Sequence, residues 1–251
     1  MKIAVAGGTG TVGRHVVDLA RERGHEAVVL SRGTGIDLVS GDGLARALAG
    51  VDAVVDAASV ATQSAKVSEE FFGTVTANLL AAEETAGVGH HIALSIVGSD
   101  LAPYGYYAGK AVQERLVRAG GVPWTILRAT QFHEFAQQLY GRVDLGPIHL
   151  VPTMISQPVA AHEVGLRLVE LAEASPAGLA TDLAGPEVLT MVDMVRAYAA
   201  ATGGTGPILQ IPLPGGFGKA MRDGTTVAGS DADRGTQTFA EWIDELTRTA
   251  R

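Results

Sequence analysis

The sequence predicts an α/β fold of the doubly wound class, a mostly parallel sheet with a small C-terminal substrate-capping region. Three observations carry that expectation. Short apolar runs of strand length alternate with helix-length stretches over residues 1–130. The opening run MKIAVAGGTGTVG sets glycines at Gly7, Gly10 and Gly13, between a first strand and a first helix. Beyond residue 130 the alternation loosens, and proline and glycine gather at Pro212, Pro214, Gly215, Gly216 and Gly218. Parallel strands joined by helices require right-handed crossovers, which place helices over both faces of the sheet.

The first strand ends at Gly7, and residues 14–23 form the first helix. Residues 27–30 (AVVL) read as a second strand that ends at Ser31 and Arg32. Residues 36–39 read as a third strand, after which Gly41, Asp42 and Gly43 turn into a short helix over 44–48. Residues 53–57 (AVVDA) give a fourth strand and residues 91–95 (HIALS) a fifth, with an alanine- and leucine-rich helix over 74–86 between them. A helix over 104–119 closes at Gly120 and Gly121, and residues 124–127 (WTIL) form a sixth strand. In the C-terminal part, 148–151 and 208–211 read as strands and 161–174, 190–201 and 237–248 as helices. The expected division is a core over residues 1–130 and a second region over 131–251 packed on it as one compact unit. No repeat, charge block or low-complexity linker separates the two.

A chain of 251 residues with 47% hydrophobic content buries about three quarters of its unfolded surface. It has no cysteine, which excludes disulfides, thiolate nucleophiles and cysteine-ligated zinc or iron–sulfur sites. The first strand begins at once, and no apolar stretch reaches the roughly 18 residues of a membrane span. A soluble cytoplasmic protein with no membrane partner is expected. With 19 Lys plus Arg against 27 Asp plus Glu, the net charge of −8 disfavours nucleic acid as a partner. The number of subunits stays open.

The glycine turn suits a dinucleotide. A helix N-terminus carries unpaired N–H groups and about half a positive charge, and glycine lets a pyrophosphate approach them. The spacing is G-x-x-G-x-x-G, with Thr9, Thr11 and Val12 in between. At the end of the second strand an acidic residue would bind a ribose 2′-hydroxyl, and an arginine a 2′-phosphate. Arg32 stands there after Ser31, which favours NADP(H) over NAD(H); the alternative is an ordinary solvated loop cation. Arg14 has reach to the same phosphate but reads as surface helix. Asp42 either accepts from the adenine amino group or caps the helix that follows. Ala57 and Ala58, at the end of the fourth strand, leave room for a nucleotide against the backbone.

Tyr106 and Lys110 lie four apart on a helix, about 40° apart around its axis. An ammonium beside a phenol stabilises tyrosinate and lowers its pKa from about 10, which makes Tyr106 a proton donor or acceptor near neutrality; the alternative is a tyrosine packed on the sheet beside a solvated lysine. Lys110 also has reach to the nicotinamide ribose. Ser95, at the carboxyl end of the fifth strand, points a hydroxyl into the crevice where open α/β sheets bind ligands and is expected to polarise a carbonyl there. Tyr107 is the reserve candidate. Phe132 and His133 follow the sixth strand near the same pocket, His133 either as a satisfied structural histidine or as a proton relay. Ser95 lacks the flanking glycines of a nucleophile elbow, since Ala93 and Val97 stand there. The seven histidines contain no H-E-x-x-H pair, and the adjacent His90 and His91 cannot face one metal from a strand, so no metal site is expected.

Four segments together resemble a known family. GGTGTVG at residues 7–13, LSIVGSD at 94–100, YYAGKAVQERLV at 106–117 and PWTILRATQF at 123–132 are similar in order and spacing to the atypical short-chain dehydrogenase/reductases, specifically the NmrA-like group. The resemblance covers about residues 1–135. It implies a Rossmann fold with a small C-terminal lobe and NADP(H) or NAD(H) in the glycine turn. The family's tyrosine and lysine map onto Tyr106 and Lys110 and its strand-end serine onto Ser95, while residues 129–132, among them Ala129, Gln131 and Phe132, line the nicotinamide end. The functional expectation is an NAD(P)H-dependent oxidoreductase transferring hydride between nicotinamide and a small carbonyl, quinone or aromatic substrate. The alternatives are a non-catalytic NAD(P)-sensing regulator and a tailoring enzyme that supports aromatic polyketide oxygenation.

Overall fold

The structure, a computed structural model, describes residues 1–141, 144–145 and 148–249. Its elements begin β1 (Lys2–Ala6), α1 (Gly13–Glu22), β2 (Glu26–Leu30), α2 (Leu44–Ala47), β3 (Ala53–Asp56), α3 (Ala65–Ala86), β4 (His90–Ile96), α4 (Tyr106–Ala119) and β5 (Trp124–Ala129). They continue α5 (Phe135–Tyr140), β6 (Asp144–Leu145), β7 (Ile148–Pro152), β8 (Ile155–Ser156), α6 (Ala161–Glu173), β9 (Gly178–Leu179), β10 (Leu183–Ala184) and β11 (Leu189–Thr190). The last are α7 (Met191–Ala201), β12 (Ile208–Ile211), α8 (Gly215–Arg222), β13 (Asp233–Arg234) and α9 (Phe239–Thr249). The chain divides into two compact units, Met1–Arg128 with His162–Thr181 and Ala129–Ala161 with Asp182–Arg251. Helix α6, beyond the boundary expected at residue 130, thus belongs with the first unit.

In the first unit the strands follow the order β9-β5-β4-β3-β1-β2. The pairs β1–β2, β1–β3, β3–β4 and β5–β9 are parallel, as the doubly wound class requires. β2 lies on one side of β1, and β3, β4 and β5 are added on the other. That reversal leaves a crevice outside the carboxyl ends of β1 and β3, where such sheets bind ligands. Ala6 pairs in register with Asp56, so Gly7 and Ala57 leave the sheet side by side. The central strands are apolar throughout because both their faces are covered: Ile3, Ala4, Val5, Val54 and Val55 are fully buried. Leu30, Leu44, Leu48, Val75 and Leu79 complete the core on one side.

One expected strand does not form. Residues 36–39 fold as a turn, in which the Asp37 carboxylate accepts from the Val39 and Ser40 amides (2.8 and 3.2 Å) and the Asp37 amide donates to the Asp42 carbonyl (3.0 Å). The Asn78 side chain on α3 donates to the Leu38 and Val39 carbonyls. Their polar groups are satisfied locally and from a helix, so a strand ladder has nothing to offer them. α3 also starts earlier than expected: Ser64 caps it, its hydroxyl accepting from the Val67 amide at 3.4 Å, and the charged turn Lys66–Glu70 hides the apolar period.

Close approaches fix the helices of this unit. A Cβ on Gly109 of α4 would stand 2.5 Å from the Ser68 carbonyl oxygen and 2.6 Å from a Phe72 ring carbon, so only glycine lets α4 lie this near α3. A Cβ on Gly165 of α6 would stand 2.8 Å from that of His15 on α1. Glu173 of α6 takes both arms of the Arg23 guanidinium (2.9 and 2.7 Å) and the His25 ring at 2.7 Å, beyond the end of α1.

In the second unit β10 pairs with β13 in parallel, and Leu183 pairs with Ala129. β7 pairs with β12 in parallel and with β6 antiparallel, and β8 pairs with β11 antiparallel. Val151, Met154, Met191, Met194, Val195 and Phe239 form its core. α8 forms inside the proline- and glycine-rich stretch: Pro214 occupies its N-cap, and Gly215 opens it at φ +75°. Among the described residues no helix is long and apolar enough to cross a membrane.

Candidate active site

The glycine turn is built by backbone contact. Gly7 adopts φ +71°, a conformation glycine takes without strain. A Cβ there would stand 2.6 Å from the Ala57 carbonyl oxygen and 2.9 Å from the Ala58 Cα. The Gly10 amide donates to the Gly7 carbonyl (2.8 Å), and a Cβ on Gly13 would fall on that same oxygen. Thr9 and Gly10 face solvent, Thr11 is half-buried and Val12 packs inward. No side chain caps α1, and its first turn holds no acidic residue. The positive end of the helix is therefore open to an anion, in a cradle made of main chain, and these residues fit a dinucleotide pyrophosphate.

Beyond β2 the Thr34 hydroxyl donates to the Val29 carbonyl (2.8 Å) and accepts from the Ser31 amide (3.2 Å), which fixes the turn that carries Arg32. The Arg32 side chain is exposed and makes no ion pair among the described residues. Asp42 is exposed too. It does not cap α2, whose N-cap is Gly43 at φ +83° with no side-chain bond. The local carboxylate acceptor is Asp37 instead.

Gly105 (φ 54°, ψ −129°) turns the chain into α4, and Tyr106 is the helix's first residue. Its phenol lies 2.9 Å from the Ser59 hydroxyl, three residues past the end of β3, and its carbonyl accepts from Ser68 Oγ at 2.8 Å. Phe72 packs edge-on against the ring, 5.4 Å between centroids. Lys110, only 3% exposed, does not bond the phenol. Its Nζ donates to the Leu94 carbonyl (2.8 Å) and to Gln113 Oε1 (2.9 Å), 4.2 Å over the Phe72 ring. Gln113 Nε2 in turn donates to Asp56 Oδ2 (2.8 Å), whose Oδ1 accepts from the Ala58 amide (3.0 Å). Tyr107 is buried.

The electrostatics correct one expectation. Burial pushes the Tyr106 phenol up to about 12, and the Ser59 hydrogen bond pulls it down only in part. Lys110 is not among the groups that shift it; its ammonium bonds the Leu94 carbonyl and Gln113 instead. Burial lowers Lys110 to about 8, with Asp56 and then Glu114 holding its charge against that.

Ser95 sits at the carboxyl end of β4 as expected, but its hydroxyl turns to a protein partner. It is 1% exposed, and its hydroxyl donates to Glu114 Oε1 at 2.7 Å. Ser99 donates to the same oxygen (3.1 Å), and Arg128 grips the carboxylate with both arms (2.8 and 2.7 Å) while also pairing with Asp100 at 3.0 Å. The Ser95 hydroxyl thus has its proton committed to Glu114. Burial pushes the Glu114 carboxyl up, but Arg128 and Ser95 outweigh it, and the net shift is below the ordinary value of 4.5. Because the folded value is depressed, this stabilisation is complete above pH 4.5 and is lost as pH falls through the folded pKa. Arg128→Met leaves the nearly buried Glu114 carboxylate with Arg118, at 3.3 Å, as its remaining cation, and is expected to cost about 3 kcal/mol at pH 7. The loss should shrink toward acid pH in denaturant midpoints; an unchanged midpoint would discount the pair.

A family model described as NAD(P)H-binding matches residues 7–164, which span the glycine turn, Tyr106 and Lys110. The chain belongs to the NAD(P)H-binding family. Solved structures agree on the fold. MoeE5 in complex with UDP-glucose and NAD superposes with a TM-score of 0.75 at 17% identity, over 100% of both chains. The UDP-glucose 4-epimerase of Thermus thermophilus, complexed with NAD, gives 0.71 at 21%, again over 100% of both. Triphenylmethane reductase of Citrobacter sp. gives 0.72 at 16%, over 99% of this chain and 100% of that one. No curated protein sequence matches the chain. Family and fold together accord with a Rossmann-type NAD(P)H-binding protein.

The residues of this NAD(P)H-binding protein expected at the nicotinamide end, Ala129, and at the substrate, Gln131, Phe132 and His133, lie in the second unit. Ala129 is buried beside Leu183. Gln131 accepts from Ser156 Oγ (2.9 Å) and donates to the Thr226 carbonyl (3.3 Å). Phe132 is half-buried and bridges to Val159. His133 is fully buried, donates from Nε2 to the Gln237 carbonyl (3.2 Å) and packs against Phe239 and Trp242. The Nε2 end of its ring is thus taken by a main-chain partner. His90 and His91 take different partners, Thr125 (2.8 Å) and Glu83 (2.9 Å), and among the described residues no group of side chains is arranged to hold a metal. Sequence reasoning missed Ser59, Asp56, Gln113 and Glu114. An acid in the apolar run AVVDA, and polar residues three and four positions after Lys110, were the available signals.

Proposed function

We propose that this protein is an NAD(P)H-dependent oxidoreductase that reduces a small carbonyl, quinone or aromatic substrate. The reading rests above all on one observation: the Tyr106 phenol, hydrogen-bonded to Ser59 in the segment whose alanines touch the glycine cradle. When bound, the reduced nicotinamide supplies hydride. The chain's own part is to bind, orient and supply a proton. Gly7, Gly10 and Gly13 would hold the pyrophosphate with Thr9 and Thr11 at its edge, and Ala57 and Ala58 leave room beside them. Tyr106 donates its proton to the substrate oxygen as charge develops there. A phenol at about 12 is protonated at pH 7 in all but roughly one part in 10⁵, which suits reduction and leaves little base for oxidation. Of the three solved structures compared above, one is by name a reductase and two hold NAD, which lends support.

For the cofactor we favour NADP(H), through Arg32 and Ser31. Loss of a charge-assisted bond costs about 1.5–3 kcal/mol. Arg32→Ala is therefore expected to weaken NADPH binding by about tenfold or more and leave NADH unchanged in a fluorescence titration. Equal effects on both would remove Arg32 from the cofactor site.

One observation favours a second reading, a non-catalytic NAD(P)-sensing regulator: Ser95 is withdrawn to Glu114, which leaves the tyrosine without its strand-end partner. Tight cofactor binding with no turnover across a carbonyl and quinone panel would decide for it. Turnover of any member decides for the reductase.

A further inference from the structure

We infer that Ser59 is the residue that positions and reprotonates Tyr106, the part that Ser95 cannot take in this chain. The inference rests on the reductase reading for its kinetic consequence, but its geometry stands alone. Ser59 Oγ lies 2.9 Å from the phenol oxygen, whereas Ser95 is bound to a carboxylate that already holds Ser99 and Arg128. The phenol has little freedom to turn elsewhere. Ser68 holds the Tyr106 carbonyl, Phe72 stands against the ring, and the absent side chain of Gly109 presses α4 onto both. Ser59 differs from the buried serines of this unit in being exposed, and it follows Ala57 and Ala58, whose backbone touches the Gly7 turn. It is therefore a solvent-exposed residue whose hydroxyl bonds the phenol, at the carboxyl end of β3.

The proton balance follows. As the substrate carbonyl carbon gains hydride, the Tyr106 O–H bond breaks and a new O–H bond forms on the product alkoxide oxygen, leaving tyrosinate. Ser59 donates its hydrogen bond to that anion, then passes it its proton and takes one from water. No further reductant is needed. Without Ser59 the tyrosinate loses its only side-chain donor among the described residues.

The test begins on the ligand-free protein with tyrosine labelled at Cζ by carbon-13, the Tyr106 resonance being the one missing in Tyr106→Phe. Ser59→Ala should move that resonance and Ser59→Thr, which keeps the hydroxyl, should return it. Because Ser59 is exposed, neither change burdens the core. With NADPH and a reducible substrate, Ser59→Ala should lower kcat/KM by about 10- to 100-fold, and Ser59→Thr should recover most of it. A resonance that stays put in Ser59→Ala overturns the inference, as does full activity of that variant. If the wild type turns over no substrate while the resonance still responds to Ser59, the reductase reading fails and the pairing holds.

Discussion

Gly13→Ala is expected to cost the first unit about 3 kcal/mol, and nucleotide binding with it. The added Cβ would land on the Gly7 carbonyl oxygen, 2.7 Å from its carbon and 2.9 Å from the Gly8 Cα. All three are backbone atoms of the turn itself, so no side chain can swing aside. Relief requires α1 to move off β1, which opens the contact of Gly7 with Ala57 and Ala58 as well. At Gly10 a Cβ meets only the Gly7 carbonyl oxygen, at 3.2 Å. Gly10→Ala should therefore keep a near-normal denaturant midpoint while still crowding the pyrophosphate. Chemical denaturation and a cofactor titration on both variants separate the two roles. Equal stability of Gly13→Ala and wild type would mean the turn is looser than its contacts require.

The second large effect belongs to Tyr106→Phe. It removes one oxygen and leaves the edge contact with Phe72 and the helix start intact. Cofactor affinity and stability should stay close to wild type. The loss falls on kcat, by about 10²- to 10⁴-fold, the usual contribution of a positioned proton donor. The phenol's upward shift also fixes the pH response: with a value of about 12, the donor form persists across pH 6–9 and contributes no break to the reductive profile there. Oxidation run in reverse should instead rise with pH as tyrosinate becomes available. Full turnover by Tyr106→Phe would take the phenol out of the chemistry.

The parts legible in the sequence were those governed by local chemistry. The glycine spacing at Gly7, Gly10 and Gly13 implied a main-chain cradle because few other arrangements need glycine at each position, and the apolar runs of β1, β3 and β5 declared buried parallel strands. Less was legible where a distant partner decides the outcome. Residues 36–39 have strand composition, yet Asn78 from α3 and the Asp37 side chain satisfy their polar groups first. Ser95 looked free for substrate because nothing near it in sequence reveals that Glu114, nineteen positions on, and Arg128 converge on it. Lys110 shares a helix face with Tyr106, but a lysine reaches far enough to choose the Leu94 carbonyl and Gln113, and the sequence contains no record of that choice. Two-residue pairings such as β8 with β11 are too short to leave any periodicity.

The function proposed for this protein depends on the glycine turn of the first unit binding a nicotinamide dinucleotide. It is tested most directly by calorimetric titration of the ligand-free wild-type chain with NADPH and with NADH, alongside Gly10→Ala. One dinucleotide should bind per chain, NADPH more tightly than NADH, with binding weakened at least tenfold in the variant. Heat of binding that is absent for both cofactors, or unchanged in Gly10→Ala, would contradict it.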